Sequence, residues 1–146
     1  MKLPSLKIGD LEAKIPIIQG GMGVGISMSG LAAAVANAGG IGVISGLHLS
    51  LSDPKWGTNI RRANIEALQR EIRKARKLAP KGIIGINILT AITEYKSMVK
   101  TSVEAGIDFI VSGAGLPLSL PKYVKGTHTK AVPIVSSARS ASLICK

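Results

Sequence analysis

The sequence predicts an α/β protein in which about five parallel strands alternate with helices. Apolar runs rich in Ile and Val recur at intervals, and helix-forming segments lie between them; the runs begin near residues 15, 41, 83, 109 and 132. Continuous apolar runs are typical of strands that helices cover on both faces of a sheet, and helical connections favour parallel pairing. At 146 residues the chain is long enough for one core, so we expect a single domain over 1–146.

The first unit is predicted as a strand, a glycine loop and a helix. A small hairpin over 6–11, turning at Gly9, leads into a strand over 15–19. Four glycines then occupy six positions, 20–25. Ser27 and Ser29 are predicted as N-caps of a helix over 29–38. Glycine removes the Cβ, so this loop lets a flat or anionic ligand approach backbone N–H groups directly.

The remaining elements follow the same alternation. The apolar runs predict strands over 41–45, 83–89, 109–112 and 132–135. Helices are predicted from 59 or 60 to 78, from Thr93 to 105, over 118–124 and from 138 onward, the last with Ser136 and Ser137 as caps. A long loop over 46–57 separates the first of these strands from the first of these helices.

Small or polar residues lie at the C-terminal ends of the predicted strands, and these ends share one edge of a parallel sheet: Ser45, Gly46, Asn87, Ser112, Gly113, Ser136 and Ser137. This edge is the expected ligand site. Asn87 is the most informative position, because an amide inside an apolar strand requires partners. It either bonds neighbouring backbone or presents its donor and acceptor to a polar heterocycle such as a flavin or pyrimidine.

Two nucleotide-binding motifs are excluded by their missing residues. A G-x-G-x-x-G fingerprint beginning at Gly21 requires glycine where Ile26 stands, and no acidic residue ends the strand over 41–45. A P-loop requires Gly-Lys followed by Ser or Thr, and no lysine lies between Lys14 and Lys55.

The formal net charge of +11 does not predict a nucleic-acid partner. Seven Lys/Arg and two Glu lie within 61–77, a net charge of +5 that a solvated helix face explains. Only four aromatic residues are present, too few for base-stacking platforms.

No catalytic or metal-binding cluster is predicted. The histidines, His48 and His128, are isolated loop residues, and no metal-ligand spacing occurs. Asp108 precedes a strand, at the end opposite to the expected site, and Cys145 is predicted as a packed thiol in the last helix. No leader peptide or membrane span is predicted, so a cytoplasmic location is expected.

Five stretches carry a resemblance to a known family: 16–23 (PIIQGGMG), 32–46 (AAAVANAGGIGVISG), 85–88 (GINI), 112–115 (SGAG) and 133–137 (PIVSS). With these, the sequence resembles the nitronate monooxygenases, formerly called 2-nitropropane dioxygenases, which are related to FMN-dependent enoyl-acyl-carrier-protein reductases. The resemblance implies the N-terminal part of a (β/α)8 TIM barrel with FMN at its C-terminal rim. The residues that it implies in FMN binding are Gly21, Met22, Gly23, Asn87, Ser45, Gly46 and Gly113.

The implied activity is FMN-dependent oxidation of nitronates or related small molecules. Two alternatives stay open, an enoyl reductase that reduces its flavin with NAD(P)H and a catalytically incomplete half-barrel. An IMP dehydrogenase relative is disfavoured, because it requires a catalytic cysteine in a loop, whereas Cys145 is predicted in a helix.

A complete barrel has about 250 residues. The family's phosphate-binding loops and its Gly-Gly-His base come from later strands, so the resemblance assigns no catalytic residue here. A homo-oligomer or a missing C-terminal half is expected to cover the open sheet edges.

Overall fold

The α/β prediction is confirmed by the computed structural model, which describes residues 3–47, 49–52 and 59–145. Four parallel strands form one sheet in the order β3 (Ile41–Ser45), β4 (Ile83–Leu89), β5 (Phe109–Gly113) and β6 (Lys130–Pro133). A separate antiparallel hairpin pairs β1 (Leu6–Ile8) with β2 (Leu11–Ala13).

Helices follow the strands as the sequence predicts: α1 (Ser29–Asn37), α2 (Ile60–Leu78), α3 (Tyr95–Glu104), α4 (Leu120–Val124) and α5 (Ala138–Ile144). In the long loop after β3 the described residues include a 3₁₀ turn over Leu49–Ser52, and His48 lies outside the described residues. Among the helices described, none combines the length and apolar character that crossing a bilayer requires.

The predicted first strand, 15–19, is wrong as a full strand. Only one isolated parallel bridge joins Ile18 to Ile41. Two backbone hydrogen bonds support it, from Ile41 N to Ile17 O at 2.9 Å and from Gln19 N to Ile41 O at 3.0 Å. The chain leaves the sheet after Gln19 because the glycine loop begins there, so the segment beside β3 is extended but too short for a ladder.

One face of the sheet packs against the helices. Glycine permits the closest approach: a Cβ at Gly42 would overlap the backbone of Ala32, so α1 lies directly on β3. The core on this side joins strand and helix residues, among them Ile44, Ile84, Ile86, Ile88, Ile110, Ala32, Leu68, Ile72, Met98 and Val99.

The other face packs against the hairpin at its N-terminal end. Ile41, Val43 and Phe109 are buried there with Ala13 of β2. The hairpin turn has Gly9 at φ +62°, a left-handed conformation that favours glycine. Beside it, Asp10 forms an ion pair of 2.7 Å with Lys130 of β6. The hairpin thus closes the lower end of this face and leaves the upper end, where the strands finish, to the glycine loop.

Of the residues predicted as helix N-caps (Ser27, Ser29, Thr93, Ser136 and Ser137), only Ser137 occupies an N-cap position. The N-cap of α1 is Met28, which has extended backbone, whereas Ser27 lies in the preceding loop. Thr93 does not cap α3, whose N-cap position is Glu94. The side chain of Ser137 caps α5 as predicted and accepts from Ser140 N. Asn59, predicted only as a possible first residue of α2, is its N-cap, and its side chain accepts from Arg62 N.

Two residues outside the upper edge, Lys130 and Cys145, differ from the sequence predictions. The last strand begins at Lys130, two residues before its predicted start, because Lys130 packs its stem against Gly9 and pairs with Phe109. Cys145 is exposed rather than packed. Asp108, expected at the wrong end of its strand for catalysis, accepts from Arg76 Nη2 at 2.7 Å and from Ile84 N at 2.8 Å, a structural role.

Tyr95 gives the fold a dependence on high pH. Its side chain is buried, and its hydroxyl lies 3.0 Å from Ser112 Oγ, which donates to Ile88 O. Burial raises the pKa of the Tyr95 phenol above its ordinary value. The unfolded chain therefore loses this proton near pH 10 and the folded chain only at higher pH, so we expect stability to fall as pH rises through that window.

The comparison of urea unfolding at pH 9 and pH 11 for the wild-type chain and Tyr95→Phe tests this expectation. The wild-type chain should lose more free energy of unfolding between the two pH values than the variant does. An equal loss in both proteins would show that another group titrates instead.

Candidate functional site

A cavity of about 200 Å³ lies at the upper edge of the sheet, between the ends of β3 and β4 and the glycine loop. It forms because both strands end there and the loop that passes over them has glycine at four of its six positions. Its lining residues are Gly21, Met22, Gly23, Ser45, Leu47, Asn87 and Leu89. The structure therefore brings together five of the seven predicted site residues.

Asn87 is the polar centre of this cavity. The parallel register places it beside Ser45, and its Nδ2 donates to Gly21 O at 3.0 Å. Its Oδ1 is buried and has no hydrogen-bond partner among the described residues. One end of the amide thus holds neighbouring backbone, as one of the two interpretations of Asn87 predicts, whereas the binding of a heterocycle by the other end stays a prediction.

Gly21 presents bare main chain at the floor of the cavity. A Cβ at this position would lie 2.7 Å from Val43 Cγ1 and 2.9 Å from both Asn87 Cβ and Ile44 O. Glycine is required here because of space, and at Gly23 because of conformation, since its φ is +78°. Lack of space thus accounts for glycine at position 21, and a positive φ accounts for glycine at position 23.

Met22 lies between these glycines and is 74% exposed. A large apolar side chain held this far into solvent lies at the mouth of the cavity. It can fold over an occupant, as flexible methionine side chains do at binding surfaces.

Gly46 and Gly113 do not line the cavity. Gly46 is buried next to Ile88 and Met98, and its N–H donates to Asn87 O at 2.8 Å. Gly113 is paired with Leu89 and faces Ile134 of the segment after β6. The assignment of these two residues to cofactor binding stays a prediction.

Four residues that shape the site were not assigned to it from the sequence. Leu47 and Leu89 supply apolar walls. Gln19 and Ser27 make hydrogen bonds that hold the glycine loop. Gln19 could have been identified from the sequence, because it is a polar residue that ends an apolar run. The two leucines could not be distinguished from core residues.

Among the described residues that line the cavity, none has a side chain that titrates in the physiological range. Asp, Glu, His, Lys and Cys do not occur among them, so these residues can bind and orient a molecule but cannot take its proton. Within the described ranges, no group of three His, Cys, Asp or Glu lies close enough to hold a metal ion.

Comparison with known proteins identifies the family. The protein-family model described as nitronate monooxygenase matches residues 5–146. The chain belongs to the nitronate monooxygenase family. No curated protein sequence matches it. Among the solved structures, FabK from Thermotoga maritima superposes with a TM-score of 0.72 at 26% identity, covering 90% of this chain and 37% of FabK.

Two further structures show how far the likeness extends. The M276A mutant of the same FabK superposes with a TM-score of 0.71 at 26% identity. The match covers 90% of this chain and 40% of the mutant. An IMP dehydrogenase/GMP reductase-like protein from Corynebacterium glutamicum superposes with a TM-score of 0.63 over 97% of this chain and 45% of that protein. At 12% identity the latter shows a shared fold alone.

The chain spans less than half the length of each of these structures. They are TIM-barrel proteins, and the predicted N-terminal portion of a barrel is confirmed. The family match also makes the chain part of an oxidoreductase family.

Proposed function

We propose that this chain carries the flavin-ring seat of an FMN-dependent oxidoreductase of nitronate monooxygenase type. The observation that carries the proposal is the buried, unpartnered Oδ1 of Asn87 next to the bare main chain of Gly21. A buried acceptor without a donor is costly, so a ligand N–H at this point contributes to binding.

The lining residues fit one end of a flavin ring. The oxidised ring has a single N–H, on its pyrimidine edge, that matches the unpaired Asn87 Oδ1. Its flat face suits the glycine backbone at 21 and 23, and Leu47 and Leu89 suit its apolar surface. The volume of about 200 Å³ is below the roughly 300 Å³ at which most ligand pockets begin, so this cavity holds part of a ligand rather than all of it.

In this proposal the residues of this chain bind and orient. Asn87 fixes the pyrimidine edge, the backbone at Gly21 and Gly23 lies along the ring, and Met22 restricts access of water from the open side. When bound, FMN supplies two-electron oxidation and reduction of a small-molecule substrate. The described lining residues include no base, so in this proposal proton removal from a nitronate precursor belongs to other residues.

Titration of purified 146-residue chain with FMN tests the proposal. Binding is expected to quench flavin fluorescence and shift the visible absorption bands. Mixing the complex anaerobically with propyl-2-nitronate should bleach the flavin, whereas bleaching only by NADH or NADPH would favour the reductase alternative. Unchanged FMN fluorescence at saturating protein would overturn the proposal, and so favour a non-catalytic half-barrel.

Asn87→Leu is expected to weaken FMN binding by about tenfold to a hundredfold, because it removes the unpaired acceptor and keeps a similar volume. The measurement is the FMN dissociation constant by fluorescence quenching. Asn37→Leu is the matched control, since Asn37 donates to Leu78 O far from the cavity. Equal dissociation constants for Asn87→Leu and wild type would remove Asn87 from the site.

A further inference from the structure

We infer that Gln19 is a positioning residue that sets the shape of the glycine loop and, through it, the affinity of the cavity for its occupant. Its effect on affinity rests on the proposed function, whereas its effect on the loop does not. Gln19 does not line the cavity. It acts through the backbone at 20–22.

The Gln19 side chain ends the pairing of the first segment with β3. Gln19 N donates to Ile41 O at 3.0 Å, and in a continuing parallel ladder Val43 N would next donate to Gln19 O. Val43 N donates instead to the Gln19 side-chain Oε1 at 3.0 Å. The side chain therefore satisfies the strand donor, and the backbone after Gln19 is released from the sheet toward the cavity.

The nitrogen of the same Gln19 amide contacts the glycine loop. Gln19 Nε2 lies 3.1 Å from Ser27 Oγ and also contacts Gly20 O. Ser27 Oγ donates to Gly20 O at 3.0 Å and accepts from Met22 N at 3.1 Å. Ser27 is 3% exposed. These bonds join the start and the end of the glycine loop across its width.

Ser27 is itself tied to the sheet. Its carbonyl oxygen accepts from Ser45 N at 2.7 Å, next to the pair that Ser45 makes with Asn87. The loop that carries Gly21 is thus fixed at β3 on two sides, by Gln19 to Val43 and by Ser27 to Ser45. Four glycines in six positions would otherwise leave it many conformations.

Three variants separate the parts of this network. Gln19→Leu removes both halves of the amide, Gln19→Glu keeps an acceptor for Val43 N but loses the donor to Ser27, and Ser27→Ala removes the hydroxyl. Gln69→Leu on α2 makes the same chemical change away from the site. Each variant is compared with the wild-type chain in amide hydrogen exchange by NMR, in the FMN dissociation constant and in urea unfolding.

In Gln19→Leu, the amide protons of Met22 and Val43 are expected to exchange at least tenfold faster, while that of Ile110 in β5 is unchanged and FMN binds at least tenfold more weakly. Gln19→Glu should speed the exchange of Met22 but not that of Val43. A general loss of stability would speed the exchange of both amide protons, so it cannot produce this difference between Met22 and Val43. If Gln19→Leu does not fold, Gln19→Glu and Ser27→Ala decide the matter by the same readouts.

Two results would overturn the inference: exchange at Met22 and Val43 within twofold of wild type in every folded variant, or faster loop exchange with an unchanged FMN dissociation constant. Failure of the wild-type chain to bind FMN would overturn the proposed function instead. In that case the exchange rates still show whether Gln19 holds the loop.

Discussion

Gly21→Ala is expected to weaken FMN binding by at least a hundredfold and to lower the free energy of unfolding by about 1–3 kcal/mol. The added methyl would lie within 3 Å of Val43 Cγ1, Asn87 Cβ and Ile44 O, of which the last is backbone and cannot turn away. The loop must therefore lift, which moves the main chain from the cavity floor and breaks the bond from Asn87 Nδ2 to Gly21 O. Fluorescence titration and urea unfolding measure the two effects.

Gly20→Ala is the matched control for this prediction. A Cβ at Gly20 would meet only Met22 Cγ, at 3.8 Å, so the same change one residue earlier finds room. It should leave FMN affinity within about threefold of wild type and change stability by less than about 0.5 kcal/mol. Equal affinities for both variants would show that the floor of the cavity is not the flavin seat.

Gly85→Ala is expected to destabilise the fold by about 3 kcal/mol. Gly85 pairs with Phe109 on the neighbouring strand, and the ring of Phe109, which is 1% exposed, occupies the space that a Cβ would need. Phe109→Ala alone should cost about 3–5 kcal/mol, because it leaves a cavity. In the double variant the new methyl fills part of that cavity, so the combined cost should fall short of the sum by about 1–3 kcal/mol.

Equilibrium unfolding in urea for both single variants and the double variant measures this coupling. Gly30→Ala serves as the control, because a Cβ there meets no atom within 4 Å and lies in α1, where alanine favours the helix. Strict additivity of the two changes would contradict the packing of the Phe109 ring against Gly85.

Much of the fold could be predicted because each element had a local physical cause. The apolar runs at β3 and β4 have the bounds that the sequence predicts, 41–45 and 83–89, since both strands are covered by helices and preceded by glycine. The stripe of apolar residues predicted a helix from 59 or 60 to 78, and α2 spans Ile60–Leu78. The first strand could not be predicted, because a side chain, Gln19, replaces the backbone as partner of Val43.

The candidate site was predictable where chemistry and position coincide. Asn87 stood out because it is an amide in an apolar strand. Gly21 and Gly23 stood out because they interrupt the chain directly after an apolar run. Leu47 gave no such sign, because nothing in a leucine distinguishes a cavity wall from a packed core. Ser27 was misassigned as a helix cap, since its hydroxyl bonds across the loop to Gly20 O, a contact that spacing alone does not reveal.

The hairpin at the lower end of the sheet has a consequence for the order of folding. Asp10 meets Lys130, and the two are 120 residues apart along the chain (130 − 10). At a synthesis rate of 5–20 residues per second, roughly 6–24 s pass between the synthesis of Asp10 and that of Lys130 in β6. Until then Val132, which packs against the same buried cluster as Leu6, Ile8 and Leu11, is missing. Nascent chains halted before Lys130 should therefore be digested by protease within 6–13, whereas longer ones are protected there.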